Sequence, residues 1–128
     1  MRLLFSYVAV KTKIHQKMVP IDDKGNQLNT IRLGGGPPLV MIHGFGAAIG
    51  FWACNLDAFA RHHTVYAFDL LGFGRSSRPR VTAHTAEEAE DVLVESIEAW
   101  RKSVGLDSFT LLGTVSFELQ KLANINLL

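Results

Sequence analysis

Apolar residues gather in two short runs, residues 17–21 and 27–33, on either side of residues 22–26. Aspartate, glycine and asparagine supply turn chemistry between them, and Gly25-Asn26 can take positive φ, so the pair reads as a β-hairpin. Gly34-Gly35-Gly36-Pro37-Pro38 then breaks any regular element. Leu39-Val40-Met41-Ile42 starts a new one, and a continuous apolar run of this length is the pattern of a strand buried on both faces. Residues 51–61 carry Trp52, Leu56, Phe59 and Ala60 on one stripe, which predicts a single amphipathic helix. Residues 65–68 form a second buried strand ending at Asp69.

Thr85, with Glu88 three positions later, makes a capping box. Ala89, Val92, Leu93, Ile97, Trp100 and Val104 mark one face of the helix that it opens, and Gly105 stands where a C-terminal cap belongs. Phe109-Thr110-Leu111-Leu112 is a third apolar strand, ending at Gly113. The order hairpin, strand, helix, strand, helix, strand predicts an α/β fold: an antiparallel hairpin leading into a parallel sheet with flanking helices.

Composition narrows the class. At 128 residues the chain can bury one real core and not two, and 48% hydrophobic with 20% charged residues is globular composition. Thirteen basic against twelve acidic residues leave no basic footprint for a nucleic acid. Cys54 is the single cysteine, so no intrachain disulfide can form, which fits a reducing compartment; no metal-ligand spacing exists either, and no cofactor is expected. Arg2 precedes a short apolar run at residues 3–10, but the length and the small-x-small cleavage site of a secretory signal are missing. No stretch approaches the ~18–20 apolar residues of a membrane span. A soluble or peripheral protein is expected.

The candidate chemistry lies at the carboxyl ends of the buried strands, where open α/β sheets bind ligands. His43-Gly44-Phe45-Gly46 follows the first of them, and glycine there lets the backbone approach a ligand or simply relieves a tight turn. Asp69-Leu70-Leu71-Gly72-Phe73-Gly74-Arg75-Ser76 follows the second. Gly74-Arg75-Ser76-Ser77-Arg78 imitates the start of a nucleophile elbow, but Arg78 occupies the place of the final glycine and no strand precedes it, so Ser76 reads as a loop-organising hydroxyl. Gly44, Gly46 and Gly50 after a strand, with Asp69 after the next, also approximate a dinucleotide-binding pattern. The preceding hairpin and His43 count against it. His62 and His63 fall at a helix end, where a cation is favoured, and His15 and His84 read as surface residues.

H-G-F-G paired with D-x-x-G-x-G-x-S on successive strands resembles the α/β-hydrolase superfamily. VYAFDLLGFGRSSRP at residues 65–79 and ESIEAWRKSVG at 95–105 are similar to the α/β-hydrolase domain-containing protein 4 and protein 5 group, from about Val19 to Gly113. The resemblance implies the N-terminal half of a hydrolase fold, with residues 1–16 a trimmed leading segment, 17–113 a partial hydrolase domain and 114–128 a divergent tail. It implies that the backbone N–H of Phe45 belongs to an oxyanion hole, with His43, Gly44 and Gly46 shaping that loop, and that Asp69, Gly72, Gly74 and Ser76 organise the second loop.

The activities it implies are lipid-centred: phospholipid or lysophospholipid ester hydrolysis, or lysophosphatidic acid acyl transfer. The alternative is a non-catalytic, lipid-droplet-associated co-activator of a triglyceride lipase. Implied partners are a lipid or acyl-ester substrate of the full-length parent and a lipase or droplet coat protein, in the cytoplasm or at a droplet or membrane surface. In that group the strand ending L-L-G runs on into G-H-S-L-G-G, or into G-H-N-L-G-G where asparagine replaces the serine. Here Gly113 is followed by Thr114-Val115-Ser116-Phe117, which puts Val115 at the nucleophile position and leaves the chain without one. No histidine has an aspartate five residues on, so the H-x-x-x-x-D motif ascribed to the protein 5 type is missing too.

Overall fold

The computed structural model describes residues 10–44, 48–80 and 82–113. In chain order the elements are β1 (His15–Pro20), β2 (Gln27–Gly34), β3 (Pro38–Ile42), a 3-10 turn (Ile49–Trp52), α1 (Leu56–Ala60), β4 (Thr64–Phe68), α2 (Ala86–Val104) and β5 (Thr110–Gly113). The strands form one sheet in the order β1-β2-β4-β3-β5. β1 with β2 and β2 with β4 are antiparallel, whereas β3 runs parallel to both β4 and β5. The hairpin therefore leads into a parallel sheet, as the element order requires.

Period-two geometry sends successive side chains of β3 to opposite faces. Val40 and Ile42 pack with Phe68, Leu93, Ile97 and Trp100 under α2, while Leu39 and Met41 pack with Ile31, Val65, Trp52 and Leu56 on the other side. Both faces are covered, which explains why β3 is an unbroken apolar run. Helix α2 begins at the capping box: the Thr85 hydroxyl accepts from the Glu88 N–H, and the Glu88 carboxylate accepts from the His84 N–H. It ends at Gly105, whose φ of 76° is left-handed and whose N–H bonds back to the carbonyls of Arg101 and Lys102. Trp100 fastens it to the sheet. Its ring is fully buried with its centroid 4.4 Å from that of Phe68, and its Nε1–H donates to the Thr30 hydroxyl at 2.9 Å.

The helix expected over residues 51–61 is not continuous. The Ile49 N–H is taken by a distant carboxylate, and tight bonds from Ala53 to Gly50 and from Asn55 to Trp52 wind the chain into 3-10 geometry before α1 starts. That winding puts Ile49 and Trp52 into the core and leaves Phe51 57% exposed. Trp52, Leu56 and Ala60 still reach the apolar face that their spacing predicts. At the C-terminus of α1, Nδ1 of His63 meets the Phe59 carbonyl at 3.3 Å.

Candidate active-site platform at the strand ends

Register sets the geometry of the site. Ile42 lies beside Phe68 on one side and beside Gly113 on the other, so β3, β4 and β5 reach their carboxyl ends at one level. The loops leaving these strands must therefore converge. His43 and Gly44 leave β3, and Asp69 and Leu70 leave β4.

His43 is fully buried. Its Nε2 accepts the Leu70 N–H at 2.9 Å, and its Nδ1 lies 2.7 Å from the Gly44 carbonyl. Because an amide can only donate, Nε2 carries the lone pair and Nδ1 the proton, which fixes a neutral tautomer. Burial pushes the imidazole below its ordinary pKa, with opposing contributions from the Gly44 carbonyl and from Asp69.

Asp69 is 2% exposed. Its Oδ1 accepts the Ile49 N–H at 2.8 Å, and its Oδ2 accepts the Arg75 N–H at 3.0 Å and Nδ2 of Asn29 at 2.9 Å. The adjacent residues Asp69 and Leu70 thus hold both flanks of residues 44–48, one at Ile49 and the other at His43. Gly74 has a φ of 51°, and a Cβ built on it would collide with the Asp69 carboxylate. Glycine is required there on both counts. Gly72, with a φ of 87°, has open space around it, and its N–H donates to the Ser77 carbonyl at 2.9 Å.

Ser76 is buried, accepts the Asn29 N–H at 2.9 Å and donates its hydroxyl to the Asp69 carbonyl. Arg78, the residue that spoils the apparent elbow, donates to the carbonyls of Gly72 and Gly74 and so braces the loop from outside. The structure thus brings together His43, Gly44, Asp69, Gly72, Gly74 and Ser76. Phe45, Gly46, Val115 and Ser116 lie outside the described residues.

Asn29 is a central member that the motifs did not point to. Besides its bonds to Ser76 and Asp69, its carbonyl accepts the Asp69 N–H at 2.9 Å and its Oδ1 accepts Nε2 of Gln16 at 2.8 Å. A signal existed: Asn29 shares strand parity with Ile31 and Leu33, and a polar residue on an apolar stripe needs a buried partner. Among the described residues this acid is buried and its carboxylate is taken up by N–H donors of the protein, whereas the acid of a dinucleotide fold must be free to meet a ribose.

A family model described as the alpha/beta hydrolase fold matches residues 37–114, more than half of the chain. The chain belongs to the α/β-hydrolase fold family. Within it, the chain is 50% identical over 93 residues to the human 1-acylglycerol-3-phosphate O-acyltransferase ABHD5, an alignment that covers 70% of this chain and 26% of that protein. It is 54% identical over 76 residues to the bovine (Lyso)-N-acylphosphatidylethanolamine lipase, covering 59% of this chain and 22% of that one. This α/β hydrolase therefore spans about a quarter of the length of the curated relatives that it matches.

Among solved structures, the 2-hydroxy-6-oxo-6-phenylhexa-2,4-dienoate hydrolase of Rhodococcus sp. strain RHA1 superposes with a TM-score of 0.76 at 22% identity, over 90% of this chain and 42% of that one. The haloalkane dehalogenase DatA of Agrobacterium tumefaciens C58 gives 0.68 at 27% identity, over 79% and 32% respectively. These superpositions establish the fold as part of a larger hydrolase architecture.

Proposed function

We propose that this chain builds the strand-end platform of a lipid-ester α/β hydrolase or acyltransferase and carries no acyl-accepting nucleophile on it. One observation carries the reading. The reactive side chains that the described residues place at the strand ends, His43, Asp69 and Ser76, are all buried and hydrogen-bonded into the loops themselves. A nucleophile needs a free, activated oxygen or sulfur beside a base, and these groups have no such freedom. Val115, at the position where the resembled group has serine or asparagine, adds none.

The role that remains is positioning. In a serine-bearing protein of this design, the serine would attack the ester carbonyl while the Phe45 N–H stabilised the oxyanion. The lipid class is supported by the names of the two relatives above, both of which specify acylated glycerophospholipids. A groove of about 370 Å³ lined by Leu71, Phe73, Pro79, Val92 and Leu93 supports it as well, since it offers apolar surface next to the platform. Among the described residues no helix is long and apolar enough to cross a membrane.

The resemblance to the protein 5 type leaves a second reading, a non-catalytic partner that binds at a lipid-droplet surface and activates a triglyceride lipase, and a chain without a nucleophile is compatible with it. The two are separated by incubating the purified chain with lysophosphatidic acid and an acyl-CoA, with N-acylphosphatidylethanolamine, and with a triglyceride lipase on emulsified substrate. We expect no turnover of the first two substrates, and stimulation in the third assay would select the co-activator reading. Turnover of either phospholipid that is proportional to chain concentration would contradict the absence of a nucleophile.

A further inference from the structure

His43 joins two loops through a bond that tolerates only one protonation state. Its ring is fully buried, and Nε2 accepts the Leu70 N–H across the gap between the end of β3 and the end of β4. The proton on Nδ1 is directed at the Gly44 carbonyl of its own loop. Phe73 meets the ring edge-on, with centroids 5.9 Å apart, and the Phe73 N–H donates to the Leu70 carbonyl. A single turn, Leu70 to Phe73, thus supplies both the hydrogen bond and the aromatic contact.

We infer that His43 is a proton-sensitive latch between the loop after β3 and the turn after β4, closed when the imidazole is neutral and opened by proton uptake at Nε2. The step is a simple protonation. A solvent proton takes the Nε2 lone pair, the Leu70 N–H then faces another N–H and loses its acceptor, and no covalent bond within the chain changes. The buried amide left behind costs free energy unless the turn moves to rehydrate it.

The groups facing His43 decide whether the latch can hold. From the end of β4 the charged side chain is Asp69, which favours the imidazolium, but its carboxylate is shared among the N–H groups of Ile49, Arg75 and Asn29. From the β3 side the neighbour is the Gly44 carbonyl, and from the turn it is the Phe73 ring; neither titrates. Burial outweighs these groups and holds the histidine below its ordinary value of 6.5. A depressed folded-state pKa means that the stabilising contact is fully present above pH 6.5 and is lost as pH falls through the lower folded value. The latch is closed at neutral pH and opens in acid, and this holds whatever the substrate of the site.

The test is amide hydrogen exchange by NMR on the full chain from neutral to acid pH, with ring ¹⁵N shifts of His43 read in the same samples. The Leu70 amide, corrected for intrinsic exchange, should lose protection about tenfold per pH unit between the ordinary and the depressed pKa. Amides bonded within the β3–β4 ladder should keep theirs, and the ring shifts should show an Nδ1–H tautomer at neutral pH. His43→Gln should make Leu70 protection independent of pH. If that variant does not fold, the wild-type ring shifts and the contrast between Leu70 and the ladder decide the matter. An Nε2–H tautomer at neutral pH, a Leu70 amide indifferent to acid, or loss of Leu70 and ladder protection together would overturn the latch.

Discussion

The backbone N–H of Ile49 donates to Oδ1 of Asp69 at 2.8 Å across twenty positions of sequence. Leu70, the next residue, donates to His43 at 2.9 Å. Two consecutive residues at the end of β4 therefore hold the segment after β3 at both of its flanks. The two flanks are thereby tied to one strand end, the kind of preorganisation that the proposed oxyanion role would need. Asn29 and Gly74 complete the arrangement, one by donating to the same carboxylate and the other by leaving room for it.

If Asp69 is the clamp, Asp69→Asn should destabilise the fold well beyond a surface change. The amide presents its own N–H to at least one of the N–H groups that now point at the carboxylate, which leaves a buried donor unsatisfied. A loss on the order of 2–3 kcal/mol is expected in urea unfolding, with no change in slope. An unchanged midpoint would mean that the carboxylate is dispensable.

Gly72 and Gly74 both have positive φ, yet only Gly74 faces the Asp69 carboxylate. Alanine at either position incurs the left-handed penalty of roughly 1–2 kcal/mol. At Gly74 it must also displace Asp69. Gly74→Ala should therefore be less stable than Gly72→Ala by at least about 1 kcal/mol, and equal stabilities would show that the carboxylate moves aside freely.

Much of this was legible in the sequence because it depended on local rules. Thr85, Glu88 and Gly105 framed α2 correctly, since a capping box and a left-handed glycine act within a single turn. The apolar runs located β3 and β4, because a strand buried on both faces has little choice of composition. The hydrolase pairing of the two loops also showed in their wording. The break within residues 51–61 was hidden, because a helical stripe cannot reveal that Ile49 will give its N–H to an acid twenty residues away. Asn29 escaped for the same reason: its partners Ser76, Asp69 and Gln16 meet it only after β1, β2 and β4 have paired.

Among the described residues the two outer strands of the sheet are unlike. β1 carries the exposed residues His15, Lys17 and Pro20, which discourage strand addition. β5 is a short apolar strand whose hydrogen bonds among the described residues go to β3 alone, and Leu111 and Leu112 are half-buried on its two faces. Association of the purified chain should proceed through β5. Thr110→Lys, a change at an exposed position, should raise the monomer fraction in sedimentation velocity. A monomeric wild-type chain with a cooperative thermal transition would show that this edge is already sealed.

A platform without an acyl-accepting group, as proposed above, should be inert to reagents that trap activated serines. The purified chain is exposed to a fluorophosphonate, which captures activated serines, and the intact mass is then measured. An unmodified mass is expected under conditions that fully label a serine hydrolase. A single stoichiometric adduct that disappears in Ser76→Ala or Ser116→Ala would contradict it.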